Sequence, residues 1–314
     1  MNRAGISGRR HIGSVVGAAA CWAAAAIVTA VCLFIIGFLA WRGWSSVDWT
    51  FLSTDPVPSL VENQGGGVRV PIVGTMILTL LSVAFVFPVA VGAAIYLAEY
   101  MDENSWLTRI VRVGLEVLAS VPSVVFGVFG LAMFSLPVFT FLSSSGAEGS
   151  TAAFGRSFIV AAIVMGIHIL PFVIKVSEEA IRSVPVSMRQ GALALGVSKW
   201  RTISKVVLPA ARSGIATAVV LGMGLAAGDT AIVWLTLGGT ISMAVDDWWK
   251  VQQWLPVLRG TGSTLTTFIY FNSPAGEGNS EALAYGAALV LIVLVLALNL
   301  GAIVLGRRKH QDRA

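Results

Sequence analysis

A chain of 314 residues that is 56% hydrophobic and only 12% charged is too apolar for a soluble enzyme and falls among polytopic membrane proteins. Its net charge of +5 requires no nucleic-acid partner, because the Lys and Arg residues stand beside apolar runs without interleaved aromatic platforms. The two cysteines, Cys21 and Cys32, fall on one predicted helix about 16 Å apart and are not expected to pair.

The first apolar run, residues 12–41, carries no charge. It outlasts the apolar core of about 7–15 residues found in a signal peptide, so it reads as a retained span rather than a leader or a lipoprotein box at Cys21. Residues 42–69 are polar and turn-rich, with Trp44 and Trp49 suited to a membrane interface and Gly65-Gly66-Gly67 as a flexible lead-in. Further apolar runs cover 70–98, 117–147, 158–174, 213–245 and 282–306. The third contains Pro122 and Gly127-Val128-Phe129-Gly130, which are expected to kink it. The fourth holds His168 and Pro171, and the fifth is interrupted only by Asp229. Six spans are predicted. They give a tail over 1–16, a six-span domain over 17–306 and a second tail over 307–314. The segment 238–281, with Trp248, Trp249 and Trp254 beside Asp246, Asp247 and Lys250, is expected to form an interfacial or re-entrant helix.

If both termini are cytoplasmic, the inner segments hold 16 of the 21 Lys and Arg residues. Only Arg42, Arg69, Arg156, Lys250 and Arg259 remain outside, and this imbalance sets the orientation. Seven of the inner residues lie in one stretch, 175–212: Lys175, Arg182, Arg189, Lys199, Arg201, Lys205 and Arg212. Two short helices are predicted there. Pro185 suits a first turn, and Met188, Ala192 and Leu195 share a face. Gly196 is placed to end that helix in the left-handed conformation. Ser198 is placed to cap the next helix, on which Trp200, Ile203 and Val207 share a face, and Pro209 marks the junction with the following run.

Catalytic motifs are missing. Gly191 and Gly196 have P-loop spacing, but Val197 stands where the phosphate-binding Lys is needed, and there is no HExxH, CxxC or GxSxG. An intramembrane enzyme lacks a nucleophile–base pair, and ATP hydrolysis would have to come from another chain.

The spacing Gln190-Gly191-Ala192, three residues, Gly196, nine residues, Val206-Val207-Leu208-Pro209 resembles the EAA signature of ABC importer permeases, E-A-A-x3-G-x9-I-x-L-P. Gln190, Gly191 and Val206 depart from it; Ala192, Gly196, Leu208 and Pro209 keep it. The resemblance implies that this stretch is a coupling helix that docks into a groove on a separate ATPase subunit.

Other stretches resemble the PstA family of phosphate-specific ABC importer permeases. They are Gly65-Gly66-Gly67 before Ile72-Val73-Gly74-Thr75, Ile95-Tyr96-Leu97-Ala98-Glu99-Tyr100, Ser120-Val121-Pro122-Ser123 before Phe126-Gly127-Val128-Phe129-Gly130-Leu131, Gly228-Asp229-Thr230-Ala231, and the terminal Leu296-Ala297-Leu298-Asn299. The resemblance implies an all-α, MetI-like permease of six transmembrane helices. It also implies a homologous PstC-like permease, two PstB-like subunits that bind ATP and Mg, and an external PstS-like phosphate-binding protein as partners. No cofactor is expected in this chain, and its other contacts would be with lipid, not nucleic acid. On this reading Ser120, Ser123, Asp229 and Thr230 line the substrate path. The family pattern R-A-x-G-E-T is here Leu225-Ala226-Ala227-Gly228-Asp229-Thr230, without the arginine and with a shortened acid. Two explanations stay open: the partner permease supplies the arginine, or the anion is another, such as molybdate or tungstate.

An acid at mid-span costs about 2.5–3.5 kcal/mol on insertion scales, so Asp229 requires a reason. Beside a phosphate charge at about 4 Å it would be repelled by roughly 4 kcal/mol at an effective dielectric of 20, so it is no simple anion ligand. Accepting a hydrogen bond from the P–OH of hydrogen phosphate or orienting a partner's arginine are the remaining roles, with Thr230 as an oxyanion donor. The plain alternative is a helix-packing hydrogen bond. Glu116 is expected to pair with Arg112, His168 to be a packed, hydrogen-bonded histidine, and Gly224 with Gly228 to admit a close helix. A proton-coupled secondary transporter using Asp229 and His168 is the competing class, but no internal repeat supports it.

Overall fold

The computed structural model describes residues 4–57, 66–102, 105–143, 155–239, 243, 250–274, 276 and 280–311. Among them all regular structure is helical, apart from an isolated bridge between Pro56 and Gly66. The helices are α1 (Ala4–Trp44), α2 (Trp49–Ser53), α3 (Arg69–Ile95), α4 (Trp106–Ser120), α5 (Ser123–Phe134), α6 (Phe158–Arg182), α7 (Val186–Ala194), α8 (Lys199–Thr202), α9 (Leu208–Gly228), α10 (Ala231–Thr236), α11 (Trp254–Arg259), α12 (Leu265–Asn272) and α13 (Glu281–Gln311). A π turn, Tyr96–Tyr100, extends α3, and a second, Ile203–Val207, joins α8 to α9 without interruption.

Contacts at the two ends of the bundle fix the path of the chain. At the end where α3 begins, the Phe158 amide donates to the Gly260 carbonyl at 3.3 Å. There too the Leu265 amide donates to Thr75 Oγ1 at 2.9 Å, and Gly43 of α1 abuts Tyr285 of α13. At the end where α3 stops, Arg182 donates to the Leu97 carbonyl at 3.2 Å, and the Lys199 ammonium stands 4.6 Å from the centre of the Tyr100 ring. The chain therefore passes between the ends six times, through α1, α3, α4–α5, α6, α8–α9 and α13. Five of these passes are helices long and apolar enough to cross a membrane; the sixth is the α4–α5 pair, bent by 95°.

That bend changes the expected third span. Pro122 has no amide to donate, and it holds Val121 extended at φ −72°, ψ 126°, so α4 ends at Ser120 instead of running through. The expected fifth span is likewise broken. Helix α9 stops at Gly228, Asp229 is extended at φ −76°, ψ 127°, and α10 starts afresh at Ala231. Pro209 stands in the first turn of α9, where the next apolar run was expected to begin, but the chain does not break there, because the π turn before it leads straight into α9. The Leu208 amide bonds back to Ile203, and the wider turn carries the helix past the proline's missing donor. The fourth span is longer than expected and runs on to Arg182.

Helix α6 is the centre of the packing. Phe158, Val160, Met165 and Ile169 are buried against Leu78 and Val86 of α3 and Ala218 of α9. Between helices in lipid the driving force is close van der Waals contact, so small residues decide the approach. A Cβ on Gly214 would sit 2.4 Å from the Ala180 side chain, and one on Gly222 would sit 2.9 Å from Val173. These glycines, rather than the expected Gly224 and Gly228, seat α9 on α6. Gly224 instead looks toward Asn299 of α13, and Gly228 faces open space.

Of the interfacial or re-entrant helix expected over 238–281, the described residues 250–274 show a surface turn and an inward one. Trp254 is exposed, but residues 262–268 press inward, and a Cβ on Gly74 would fall 1.9 Å from the Ser263 carbonyl. Thr264 and Thr267 close a reciprocal capping box at the start of α12. Asp246, Asp247, Trp248, Trp249 and Gly65 lie outside the described residues. Gly66 has φ +70°, and Gly67 lies where a side chain would strike Phe51 and Thr54, so these glycines close a turn instead of forming a loose lead-in.

Candidate coupling segment and transport path

Gly196 adopts φ +76°, as its predicted helix-ending place requires. Its amide bonds to the Leu193 carbonyl at 2.9 Å, and the Val197 amide reaches back to Ala192 at 3.3 Å. This pair of bonds is a Schellman motif, and it turns the chain from α7 into α8. Pro185 precedes the first turn of α7 as its N-cap residue, and Ser198 holds the N-cap position of α8 without a side-chain hydrogen bond.

The first predicted apolar face does not pack against this chain, and the second does so only in part. Val186, Met188, Leu193, Leu195 and Trp200 are all exposed, Leu195 to 84%, and α7 buries no apolar side chain. Ile203 and Val207, by contrast, are buried, which splits the face on which Trp200 was expected to join them. Gln190, Gly191, Ala192 and Gly196 thus stand together on the α7 turn, with Gln190, Gly191 and Gly196 exposed. Leu208 and Pro209 do not join them: they open α9, where Leu208 packs beside Val207, Ala211 and Ile215.

Ion pairs hold the helix ends here. Arg189 of α7 donates through Nε to Glu99 at 2.9 Å and through its other nitrogens to the Val184 and Ile181 carbonyls. Glu178 of α6, only 9% exposed at its side chain, accepts from Arg112 of α4 at 2.6 Å and from Arg182 at 2.8 Å. The expected Glu116–Arg112 pair is replaced by this one, since Arg112 turns inward to α6 rather than along its own helix. The Glu178–Arg112 and Glu99–Arg189 pairings had no sequence signal, because they join residues 66 and 90 positions apart. The Glu178–Arg182 pair, at i,i+4 on α6, was legible in the sequence but is not among the pairs expected there.

At the helix breaks, Asp229 accepts from the Ile232 amide at 2.8 Å and so caps α10. Its own carbonyl accepts from Thr266 at 3.4 Å, and both Asp229 and Thr230 are half-buried. Helix α5 lies against α10 at Gly127, where a Cβ would meet Leu235 at 2.7 Å and the Ala231 carbonyl at 3.2 Å. Ser123, one turn before Gly127, and Asp229-Thr230, just before Ala231, therefore approach the same contact from two helix starts. Ser120 does not share it: it sits exposed at the end of α4 with its hydroxyl on the Val117 carbonyl. His168 packs edge-on against Phe126 at 5.1 Å, and its buried Nδ1 has no hydrogen-bond partner, contrary to the bonded histidine expected. Arg156, which the motifs did not single out, donates to the Leu235 carbonyl at the far end of α10. Arg259 places one nitrogen near the Thr140 carbonyl and keeps a buried Nε without a partner.

Among the described residues no cluster of His, Cys, Asp and Glu could hold a metal ion. Cys21 and Cys32 are free.

Residues 90–311 match the family model described as binding-protein-dependent transport system inner membrane component. The chain is 30% identical to the probable ABC transporter permease protein YqgI of Bacillus subtilis, covering 90% of this chain and 91% of that one. It is 29% identical to the phosphate transport system permease protein PstC of Pasteurella multocida, over 82% and 80% of the two chains. It is 30% identical to PstA 1 of Mycobacterium tuberculosis, over 87% and 83%. Among solved structures, a bacterial alginate ABC transporter matches with a TM-score of 0.58 at 18% identity, over 94% of this chain and 96% of that one. The MetNI methionine ABC transporter matches with a TM-score of 0.58 at 17% identity, over 76% and 94%.

Proposed function

This chain belongs to the family of binding-protein-dependent transport system inner membrane components, and from that premise we propose that it is the permease through which an ATP-driven importer moves inorganic phosphate. As an ABC importer permease of MetI-like fold it works with ATPase and substrate-binding subunits and is not itself an enzyme. The observation that carries the phosphate reading is the likeness, at 29–30% identity over more than four-fifths of the chain, to permeases named for phosphate transport.

The partners on this reading are a PstC-like permease, two PstB-like ATPases that bind ATP and Mg, and an external PstS-like protein. The end of the bundle that carries Tyr100, α7, the start of α1 and the end of α13 faces the cytoplasm, in keeping with the Lys and Arg count. Gln190, Gly191, Ala192 and Gly196 meet the ATPase with the uncovered apolar side chains of α7 around them. Leu208 and Pro209 shape the helix that follows. Asp229, Thr230 and Ser123 line the path where the α5 and α10 starts meet, with Ser120 at its margin. Arg156 and Arg259, which have no carboxylate partner among the described residues, give the outer approach a positive field for an anion.

Leu225 in place of the family arginine favours a second reading, in which the cargo is a different oxyanion such as molybdate or tungstate. The proton-coupled reading gains no support, since Asp229 caps α10 and His168 packs on Phe126. The test is ATP-driven uptake of labelled phosphate in proteoliposomes that hold the complete importer and its binding protein. Phosphate uptake that unlabelled phosphate suppresses and molybdate does not is expected. Uptake of molybdate or tungstate that excess phosphate leaves untouched would overturn the phosphate reading.

A further inference from the structure

Helix α7 has nine residues and buries none of its apolar side chains, yet it must hold a fixed place if an ATPase is to push on it. Its one side-chain anchor to other helices among the described residues is Arg189, whose side chain is 18% exposed. That single group reaches two elements. Two of its nitrogens hold the last carbonyls of the α6 end, those of Ile181 and Val184, and Nε holds Glu99.

Glu99 lies in the π turn that ends α3, and its side chain is 9% exposed. The next residue, Tyr100, carries the Lys199 ammonium over its ring. One basic residue from each side of the Gly196 turn therefore grips consecutive residues of the same turn. Arg182 adds a bond to Leu97 in that turn.

We propose that Arg189 is the positioning residue that carries motion of the coupling helix to α3, by way of Glu99, so that α3 and α6 move with the ATPase. This rests on the coupling role assigned to α7 above. A bidentate or forked guanidinium suits such a task because its donors lie in one rigid plane and a push on α7 cannot rotate them independently. The π turn suits it as well: its wider winding breaks the α-helical bonding just where the load arrives, leaving a local element able to shift.

The test uses the complete importer with its ATPase subunits and binding protein in lipid nanodiscs, and reads amide exchange over residues 96–101 with and without ATP and Mg. In the wild type ATP is expected to change exchange there by about fivefold or more, the scale of an ordinary coupling energy. Arg189→Gln should erase that change. Glu99→Gln, which keeps a neutral acceptor but loses the charge-assisted bond, should reduce it by about half or more, and the swap Glu99→Arg with Arg189→Glu should restore a good part of it. Phosphate moved per ATP hydrolysed should fall and recover in the same order, which a merely stabilising residue would not do. Glu99→Gln leaves an acceptor for Arg189 and no buried carboxylate, so it answers the question even where Arg189→Gln assembles poorly. An ATP-dependent change that persists at full size in both single variants, or that the wild type never shows, overturns the role of Arg189. An ATP-dependent change in a wild type that fails to import phosphate would sink the phosphate reading and leave this one standing.

Discussion

The Asp229 carboxylate and the Ile232 amide are 2.8 Å apart, so the one acid inside the fifth apolar run caps a helix that starts within the bundle. Asparagine caps as well as aspartate, whereas alanine forfeits about 0.5–2 kcal/mol. Asp229→Asn is therefore expected to assemble at wild-type level and Asp229→Ala at a reduced level, measured as intact complex recovered from membranes. If Asp229 also meets the cargo, the Asn variant should take up phosphate more slowly and reject sulfate less well. Unchanged uptake and selectivity in that variant would leave Asp229 as a cap only.

Gly196 has φ +76° and open space where a side chain would go, so only backbone conformation penalises substitution. The left-handed region costs an ordinary residue roughly 1–2 kcal/mol, less for asparagine and more for a β-branched residue. Gly196→Asn should keep ATP hydrolysis coupled to uptake, while Gly196→Val should insert normally but waste ATP. Equal phosphate-to-ATP ratios in the two variants would show the turn to be a plain connector.

Glu178 is nearly buried and shared by Arg112 and Arg182, whose side chains are 43% and 33% exposed. Losing one arginine leaves the other in place, but losing both strands a carboxylate in a dry site. Arg112→Gln and Arg182→Gln should each cost little and together cost more than their sum by about 0.5–3 kcal/mol. Thermal unfolding of the complex, run as a double-mutant cycle, reads this directly; additive losses would mean that Glu178 stays hydrated.

With Cys21 and Cys32 replaced by serine, single cysteines report which way the bundle faces. Val57→Cys should react with a membrane-impermeant maleimide in intact cells, and Ser198→Cys only after lysis. Labelling of Ser198→Cys from outside would invert the orientation drawn from the charge count.

The apolar runs and the glycine–proline spacing of 190–209 were enough to read a six-pass helical bundle and the position of its turn. Composition is additive along a chain, and turn chemistry is local, so both survive without a structure. The bend at Val121-Pro122 was visible as a proline but not as a right angle, because its size depends on what α4 and α5 pack against. Glu178 with Arg112, and Glu99 with Arg189, were out of reach for a different reason. Each pairing is made by the register of one element on another, α4 on α6 and α7 on the turn that ends α3, rather than by any motif. Asp229 shows the limit most plainly: an acid inside an apolar run stands out in the sequence, but the helix end it serves was not visible.

Helix α5 has 12 residues, about 18 Å of rise, against a hydrocarbon layer of about 30 Å. It is too short to be held across a bilayer by its own greasiness, and its first amides, freed by the break at Pro122, would have no partner in lipid. During synthesis it must therefore wait for company. The chain that emerges before Phe158 has nothing to shelter that half-crossing; α6 provides it first, and α10 only almost a hundred residues after α5 ends. The order of manufacture is thus out of step with the order of the sequence, and a nascent chain arrested ahead of α10 should leave the segment around Ser123 open to water or to a protease.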